Sequence, residues 1–188
     1  MSQVSTARKE KFFTPATMAM IAIMAAVTCI LGPLSIAIPI SPVPISLTNF
    51  AIYLSLYVLG QKKGTVSFLV YLLLGFIGLP VFSKGQGGAG ILLGPTGGYL
   101  FGFIFMALIG GWVIEHFPKN YVLQFVGLVL GTMVCYVFGT AWLAYVGKLT
   151  LAKATAAGVL PFLPGDLVKI VLSILIGTQV RGAMRKQL

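Results

Sequence analysis

The chain has 188 residues, of which 58% are hydrophobic and 9% are charged, and its mean hydropathy is +1.01. A soluble globule of this composition would lack the polar side chains needed to cover its surface, so we predict an integral membrane protein. The net charge of +10 comes from 13 basic residues against three acids. No basic stripe with interleaved aromatic residues occurs, so this charge indicates membrane topology and some contact with anionic lipid, not nucleic-acid binding.

Long uncharged stretches predict an all-α membrane protein with six transmembrane helices. A span needs roughly 20 apolar residues, and clusters of glycine and proline mark the joints between spans. In chain order, the predicted helices cover about residues 15–31, 45–60, 65–79, 99–114, 122–146 and 164–177. They form a single integral membrane domain over residues 1–188, which starts with a cytoplasmic tail of about residues 1–12. The second, third and sixth helices are short, which indicates tilt, kinks or ends that extend further.

The positions of the basic residues predict that both termini are cytoplasmic. Cytoplasmic loops of membrane proteins carry an excess of Lys and Arg. With the amino terminus inside, six spans place most of the bases inside: Arg8, Lys9, Lys11, Lys62, Lys63, Lys119, Arg181, Arg185 and Lys186. Only Lys84, Lys148 and Lys153 fall outside, while Lys169 lies within the sixth span.

Residue types that serve catalysis or metal binding are scarce. The chain has one histidine, His116, and its two cysteines, Cys29 and Cys135, fall inside predicted spans. We therefore predict no metal site, no cofactor and no catalytic residue. No Gly-x-x-x-x-Gly-Lys-Ser/Thr loop is present, so ATP-driven transport would take its energy from another protein.

One acid and one base lie at the mouth of the last predicted span. Asp166 and Lys169 follow Pro164-Gly165, and residues three apart share one face of a helix. A charge inside a membrane span is costly unless it has a partner or a function. The pair is either a self-neutralising ion pair that tolerates burial or part of a ligand site that opens to a water-filled mouth.

Three segments rich in glycine and proline fall on the same predicted outer side as this pair. They are residues 38–46, 78–99 and 161–166. Glycine permits positive φ and close backbone approach, which suits a loop that folds over a small molecule. Two interpretations stay open at this point: simple turns between helices, or a cap over a ligand cavity.

Three motifs in these segments are specific enough to indicate a family. They are Pro42-Val-Pro-Ile-Ser-Leu, the run from Gly78-Leu-Pro-Val-Phe to Gly-Pro-Thr-Gly-Gly-Tyr-Leu-x-Gly-Phe103, and Pro161-Phe-x-Pro-Gly-Asp166-x-x-Lys169. Together they resemble the BioY family, the biotin-specific substrate-binding (S) subunits of energy-coupling-factor (ECF) transporters. The resemblance covers nearly the whole chain. It implies a bacterial plasma-membrane subunit that captures biotin from outside with high affinity and works with a transmembrane coupling subunit and two ATP-binding subunits.

The resemblance also implies roles for individual residues. Asp166 would accept hydrogen bonds from the ureido N–H groups of biotin, and Lys169 would contact either the ureido carbonyl or the valerate carboxylate. Residues 85–99 would form a lid over the ligand. The remaining implied contacts are Asn49 on the second helix and, on the lid, Gln86, Gly87, Gly88, Thr96, Gly97 and Tyr99. Two places depart from the family pattern: many members have Gln and Thr where Thr48 and Asn49 stand, and a small residue is common where Lys84 stands.

Small residues lie on one face of the first predicted helix. They are Ala16, Ala19, Ala22 and Ala26, and Ala22-x-x-x-Ala26 is a spacing that lets another helix approach closely. From the residues alone, we expect this face to pack inside the chain's own helices. The resemblance implies instead that Ala19, Ala22 and Ala26 dock the coupling subunit.

Several alternatives remain. The nearest are an S subunit for a different vitamin and a solitary facilitator for biotin. An intramembrane enzyme is disfavoured because no second acid, histidine or thiol lies near Asp166 in the sequence. A pore is disfavoured because the polar residues cluster at one mouth and do not form repeated rings.

Overall fold

Helices account for most of the described chain. The computed structural model describes residues 14–185, and this range contains seven α-helices and one two-stranded β-hairpin. The helices are α1 (Pro15–Leu31), α2 (Thr48–Phe76), α3 (Ala89–Leu93), α4 (Gly97–His116), α5 (Tyr121–Gly147), α6 (Leu151–Gly158) and α7 (Leu163–Arg185). Strands β1 (Ser35–Ile36) and β2 (Ile45–Ser46) pair antiparallel. The helical class predicted from the sequence is confirmed, while the tail predicted over about residues 1–12 lies outside the described range.

Helix α1 starts at a capping threonine and ends before a proline. The Thr14 hydroxyl accepts a hydrogen bond from the Thr17 N–H at 3.2 Å, and Pro15 occupies the first helical position, where its missing N–H costs nothing. Gly32-Pro33 follows the last helical residue, and a proline disfavours helix in the residue before it. One face of α1 packs against α2, where the Ser67 hydroxyl donates to the Ile21 carbonyl at 3.1 Å.

Helix α2 consists of two segments, 48–59 and 61–76, that meet at Gly60. Gly60 has φ 80° and ψ −179°, a conformation open essentially only to glycine. A β-carbon on Gly64 would lie 3.2 Å from the Ser55 carbonyl oxygen, whereas residues nine apart in a straight helix are separated by about 14 Å. The segments therefore fold back on each other. The Glu115 carboxylate accepts the Gln61 N–H at 2.7 Å and so caps the second segment.

Several helix ends differ from the sequence prediction because loops and glycines have structural roles of their own. The second helix starts at Thr48, not at Ile45, because Ile45 pairs with Ile36 in the hairpin. The third starts directly after Gly60 and ends at Phe76. The last helix continues past Gly177 to Arg185. Gly177 does not end the helix but makes room for the Tyr57 ring to pack against α7. Helices α3 and α6 lie where the sequence analysis expected loops.

Glycines on α4 and α5 bring these two helices into close contact. A β-carbon on Gly102 would lie 2.9 Å from the Cα atom of Cys135, and one on Gly131 would lie 3.0 Å from the Met106 carbonyl oxygen. Gly127 is likewise covered by the Val113 side chain. Close backbone approach at small residues is how helices associate where the hydrophobic effect is absent.

Apolar helices with exposed apolar faces indicate a multi-pass membrane protein. Within residues 14–185, three helices are long and apolar enough to cross a membrane: Gly97–His116, Tyr121–Gly147 and Leu163–Ala183. Helix α1 is also apolar but has 17 residues. On the outer face of α5, Val122 and Val137 are 72% and 69% exposed. Side chains of this kind are favourable against lipid and costly in water.

We expect Gly60→Ala to destabilise the fold by about 2 kcal/mol, because alanine does not adopt this backbone conformation and its β-carbon would meet the Glu115 carboxylate. The measurement is thermal unfolding of the detergent-purified chain. Gly182→Ala is the matched control, since a β-carbon there meets nothing within 4 Å. Equal melting temperatures for the two variants would contradict the assigned role of Gly60.

Candidate functional site

A cavity opens where the start of α2 meets the start of α7. It contains about 850 Å³ of atom-free space, including the part open to solvent. Segments from most of the chain border it: the hairpin and α2, the turn at residues 82–86, α3, α4, α5 and the first two turns of α7. Its apolar lining includes Val43, Phe82, Ile91, Leu100, Phe103 and Phe162, and its polar lining includes Ser46, Thr48, Asn49, Lys84, Gln86, Thr96, Tyr99, Thr132, Tyr136, Asp166 and Lys169. A mostly apolar cavity with a few convergent polar groups is typical of a small-molecule site.

Asp166 is the acid of this cavity and is held by donors from three helices. Its Oδ1 atom accepts from Asn49 Nδ2 at 2.9 Å and from Lys169 Nζ at 3.0 Å, and its Oδ2 atom accepts from the Tyr136 hydroxyl at 2.6 Å. The residue is only 7% exposed. Three donors, one of them charged, offset the cost of keeping a carboxylate away from water.

Lys169 completes the same cluster. Besides Asp166, its ammonium group donates to the Ser46 carbonyl at 2.7 Å and to Asn49 Oδ1 at 3.2 Å. An ammonium group has three donors, so all of them are used. Among residues 14–183, whose side chains the structure describes, this is the one ion pair within 4.0 Å. The self-neutralising pair considered in the sequence analysis is therefore formed, and both of its members also line the cavity.

Helix starts explain how these side chains meet. Asp166 lies in the first turn of α7, where the helix dipole favours a negative charge, and Lys169 follows on the same face. Asn49 is the second residue of α2, so the amino-terminal ends of two helices meet at the acid. Tyr136 reaches it from the middle of α5, and Cys135 lies beside Tyr136 with its thiol directed to the Tyr99 carbonyl oxygen at 3.5 Å.

The cavity contains most, but not all, of the ligand contacts implied by the resemblance. Asp166, Lys169, Asn49, Gln86, Thr96 and Tyr99 border it. Gly87, Gly88 and Gly97 do not, and each has a backbone role. A β-carbon on Gly87 would meet the Leu79 carbonyl, one on Gly97 would meet the Leu92 carbonyl, and Gly88 has φ 94°. These three glycines shape the loop that carries Gln86 and Thr96.

Tyr136 is a site residue that the sequence analysis did not identify. It lies 30 positions from the carboxylate it contacts. A signal was nevertheless present, because polar residues recur every four positions on one face of α5: Thr132, Tyr136 and Thr140. A polar stripe within an apolar span faces the interior of a bundle more often than lipid.

The alanine face of α1 is not packed against the rest of the described chain. Ala19, Ala22 and Ala26 are exposed, whereas the opposite face is buried through Ile21, Met24, Ala25 and Thr28. The expectation from the residues alone, that this alanine face packs internally, is therefore wrong.

The fold and the cavity define a helical membrane protein with a small-molecule site at one end of its helices. Comparisons with known proteins narrow this class. The sequence profile of the BioY family matches residues 4–186. A biotin transporter BioY from Thermotoga maritima is 41% identical over 146 residues, which cover 78% of this chain and 85% of that protein. A biotin transporter BioY from Rhizobium etli is 38% identical over 168 residues, covering 85% and 89%.

The fold agrees with a solved structure of the same kind. The crystal structure of the S-component for biotin from an ECF-type ABC transporter matches with a TM-score of 0.83 and 34% identity, over 89% of this chain and 91% of that chain. This chain belongs to the BioY family.

We expect Lys169→Met to destabilise the protein by about 3 kcal/mol, because it leaves the Asp166 carboxylate buried without its counter-ion. Adding Asp166→Asn should recover a large part of that loss, since the amide carries no charge. Thermal unfolding of both single variants and the double variant gives the coupling free energy. Additive effects would mean that the two side chains do not form the ion pair.

Proposed function

We propose that this chain captures biotin and serves as the substrate-binding subunit of an ATP-driven energy-coupling-factor transporter. One observation carries the proposal. This chain of the BioY family has a largely apolar cavity that is lined at one end by a buried carboxylate, and that carboxylate can accept a further hydrogen bond. A carboxylate has about four lone-pair positions, and the hydrogen bonds to Asp166 use three of them.

The proposed recognition starts at the ureido ring. Asp166 Oδ2 accepts one hydrogen bond within the protein, from Tyr136, which leaves it an acceptor for a ureido N–H group. The amide of Asn49 donates one of its two hydrogens to Asp166, and the other is a donor for the ureido carbonyl. The thiophane ring and the methylene chain would pack against apolar lining residues such as Phe82 and Phe103.

Membrane orientation is a further part of the proposal. We take the six spans as α1, segments 48–59 and 61–76, α4, α5 and α7, with both termini in the cytoplasm of a bacterial cell. The excess of basic residues on the predicted inner side supports this orientation. Asp166 and Asn49 then lie at the outer ends of their helices, so the cavity receives biotin from outside. The whole of residues 1–188 would form one membrane domain.

The proposed partners are a transmembrane coupling subunit and two ATP-binding subunits. The exposed alanine face of α1 supports the first contact, because three small residues there leave room for a closely packed helix. In this mechanism biotin enters from outside, residues 85–99 close over it, and ATP hydrolysis by the partners reorients the loaded subunit and releases the ligand. The chain itself performs no chemical reaction.

Titration calorimetry of the detergent-purified, ligand-free chain tests the proposal directly. We expect tight one-to-one binding of biotin and no heat from thiamine or riboflavin. Binding of another vitamin in place of biotin would favour the different-vitamin alternative. Uptake by the chain in vesicles that lack the coupling factor would favour a solitary facilitator.

We expect Asp166→Asn to weaken biotin binding by more than tenfold, or about 1.4 kcal/mol, because the amide presents an N–H group where an acceptor is required. The same calorimetric titration measures the effect. Glu115→Gln is the matched control, since Glu115 caps the start of segment 61–76, which lies at the opposite end of segment 48–59 from the cavity. Unchanged affinity in Asp166→Asn would remove this acid from the site.

We expect the double substitution Ala22→Trp and Ala26→Trp to abolish ATP-driven uptake and to leave biotin binding intact, because the two large indole side chains prevent close docking of another helix. Uptake by the reconstituted complex and binding by the isolated chain are measured in parallel. Ala141→Trp is the control for bulk alone, since Ala141 is an exposed alanine on α5. Joint loss of uptake and binding would assign the alanine face to the fold of the chain.

A further inference from the structure

We propose that Lys84 binds the carboxylate of the ligand and makes the cavity selective for an acid over its neutral derivatives. This inference rests on the proposed function, because it concerns the second end of the same ligand. It assigns the two lysines of the cavity to different tasks: Lys169 holds Asp166 in place, and Lys84 provides the positive charge that the ligand meets.

The hydrogen bonds of Lys169 make it a poor partner for an added anion. Its three donors are used by Asp166, Asn49 and the Ser46 carbonyl. A ligand carboxylate could gain one of these donors only if the cluster lost a hydrogen bond, and it would approach the negative charge of Asp166. Like charges brought together away from water are strongly unfavourable.

Lys84 has the opposite properties. It borders the same cavity and is exposed, and it takes part in no ion pair with the side chains of residues 14–183. Its ammonium group is therefore available without breaking a contact of the described fold. A carboxylate that stays near the mouth also remains partly hydrated, which avoids the cost of burying it.

The geometry of the cavity separates the two lysines by depth. Asp166, Asn49 and Tyr136 are buried and Lys169 is half-buried, while Lys84 lies at the tip of a tight turn, in which the Phe82 N–H donates to the Gln86 carbonyl at 2.8 Å. The Lys84 N–H donates to the Ser35 hydroxyl at 2.9 Å, which ties this turn to β1. An elongated ligand with its polar ring at Asp166 therefore directs its other end toward the mouth, where Lys84 lies.

The backbone of Lys84 supplies a sharp test. The residue has φ 63° and ψ 22°, a left-handed conformation that favours glycine over lysine. Replacing it by glycine removes the charge without straining the turn. Lys148 has the same residue type and a similar conformation, with φ 50° at the end of α5, but it does not border the cavity. Lys148→Gly is therefore the matched control for Lys84→Gly.

The experiment compares biotin with its neutral carboxamide, biotinamide, by calorimetry of the full-length chain in detergent. We expect the wild type to bind biotin more tightly than biotinamide. Lys84→Gly should weaken biotin binding by roughly three- to tenfold and change biotinamide binding by less than about twofold, so that the two affinities converge. Lys148→Gly should keep the wild-type ratio. Added salt should reduce the ratio in the wild type, because the contact is exposed.

Each outcome decides the inference. If Lys84→Gly keeps both the melting temperature and the biotin-to-biotinamide affinity ratio of the wild type, the role of Lys84 is overturned. The proposal that the chain captures biotin would still stand. Equal loss of biotin and biotinamide binding would overturn it as well, since charge recognition would not be involved. If the folded wild type binds neither compound, the proposed function fails first and this inference fails with it. Lys84→Arg should retain the preference for biotin, which separates the charge from the shape of the turn.

Discussion

A buried ion pair between Asp166 and Lys169 is the interaction on which the site and the surrounding packing both depend. Each charge would cost several kcal/mol if it were placed alone inside a membrane protein. The pair is tolerated because Asn49, Tyr136 and the Ser46 carbonyl supply the remaining hydrogen bonds. These contacts join the start of α2, the middle of α5 and the start of α7. Three of the helices that border the cavity are therefore held together at one acid.

This arrangement determines what a ligand can gain. The contacts of Lys169 are complete before any ligand arrives, whereas Asp166 retains acceptor capacity toward the cavity. A ligand that donates hydrogen bonds can add to the cluster without dismantling it, and the acid is already oriented by the protein. Preorganisation of this kind reduces the entropy lost on binding. A ligand whose charge must displace an existing contact would lose that advantage.

Local patterns in the sequence identified the elements that depend on local interactions. The uncharged stretch after Thr14 and the Gly32-Pro33 stop define α1, and the three-residue spacing of Asp166 and Lys169 places them on one helix face. Contacts between distant residues were not readable in this way. The hairpin pairs Ile45 with Ile36, so that α2 starts only at Thr48, and the hydrogen bond from Tyr136 joins α5 to Asp166 on α7. Gly177 is another example. The sequence predicted that α7 ends there, but the glycine lies within the helix and packs against the distant Tyr57 ring.

The glycine-rich run also limits where a lid could move. It is anchored on both sides of α3, because the Gly88 N–H donates to the Gly75 carbonyl at 2.7 Å and Trp142 Nε1 donates to the Gly94 carbonyl at 2.9 Å. Between these anchors, α3 has no buried residue, and a β-carbon on Gly90 would meet nothing within 4 Å. Segments with few packed contacts open at low free-energy cost. In the proposed closure of residues 85–99, the part that is free to move is therefore α3, which carries the apolar side chain of Ile91 at the cavity wall and does not include the acid or its partners.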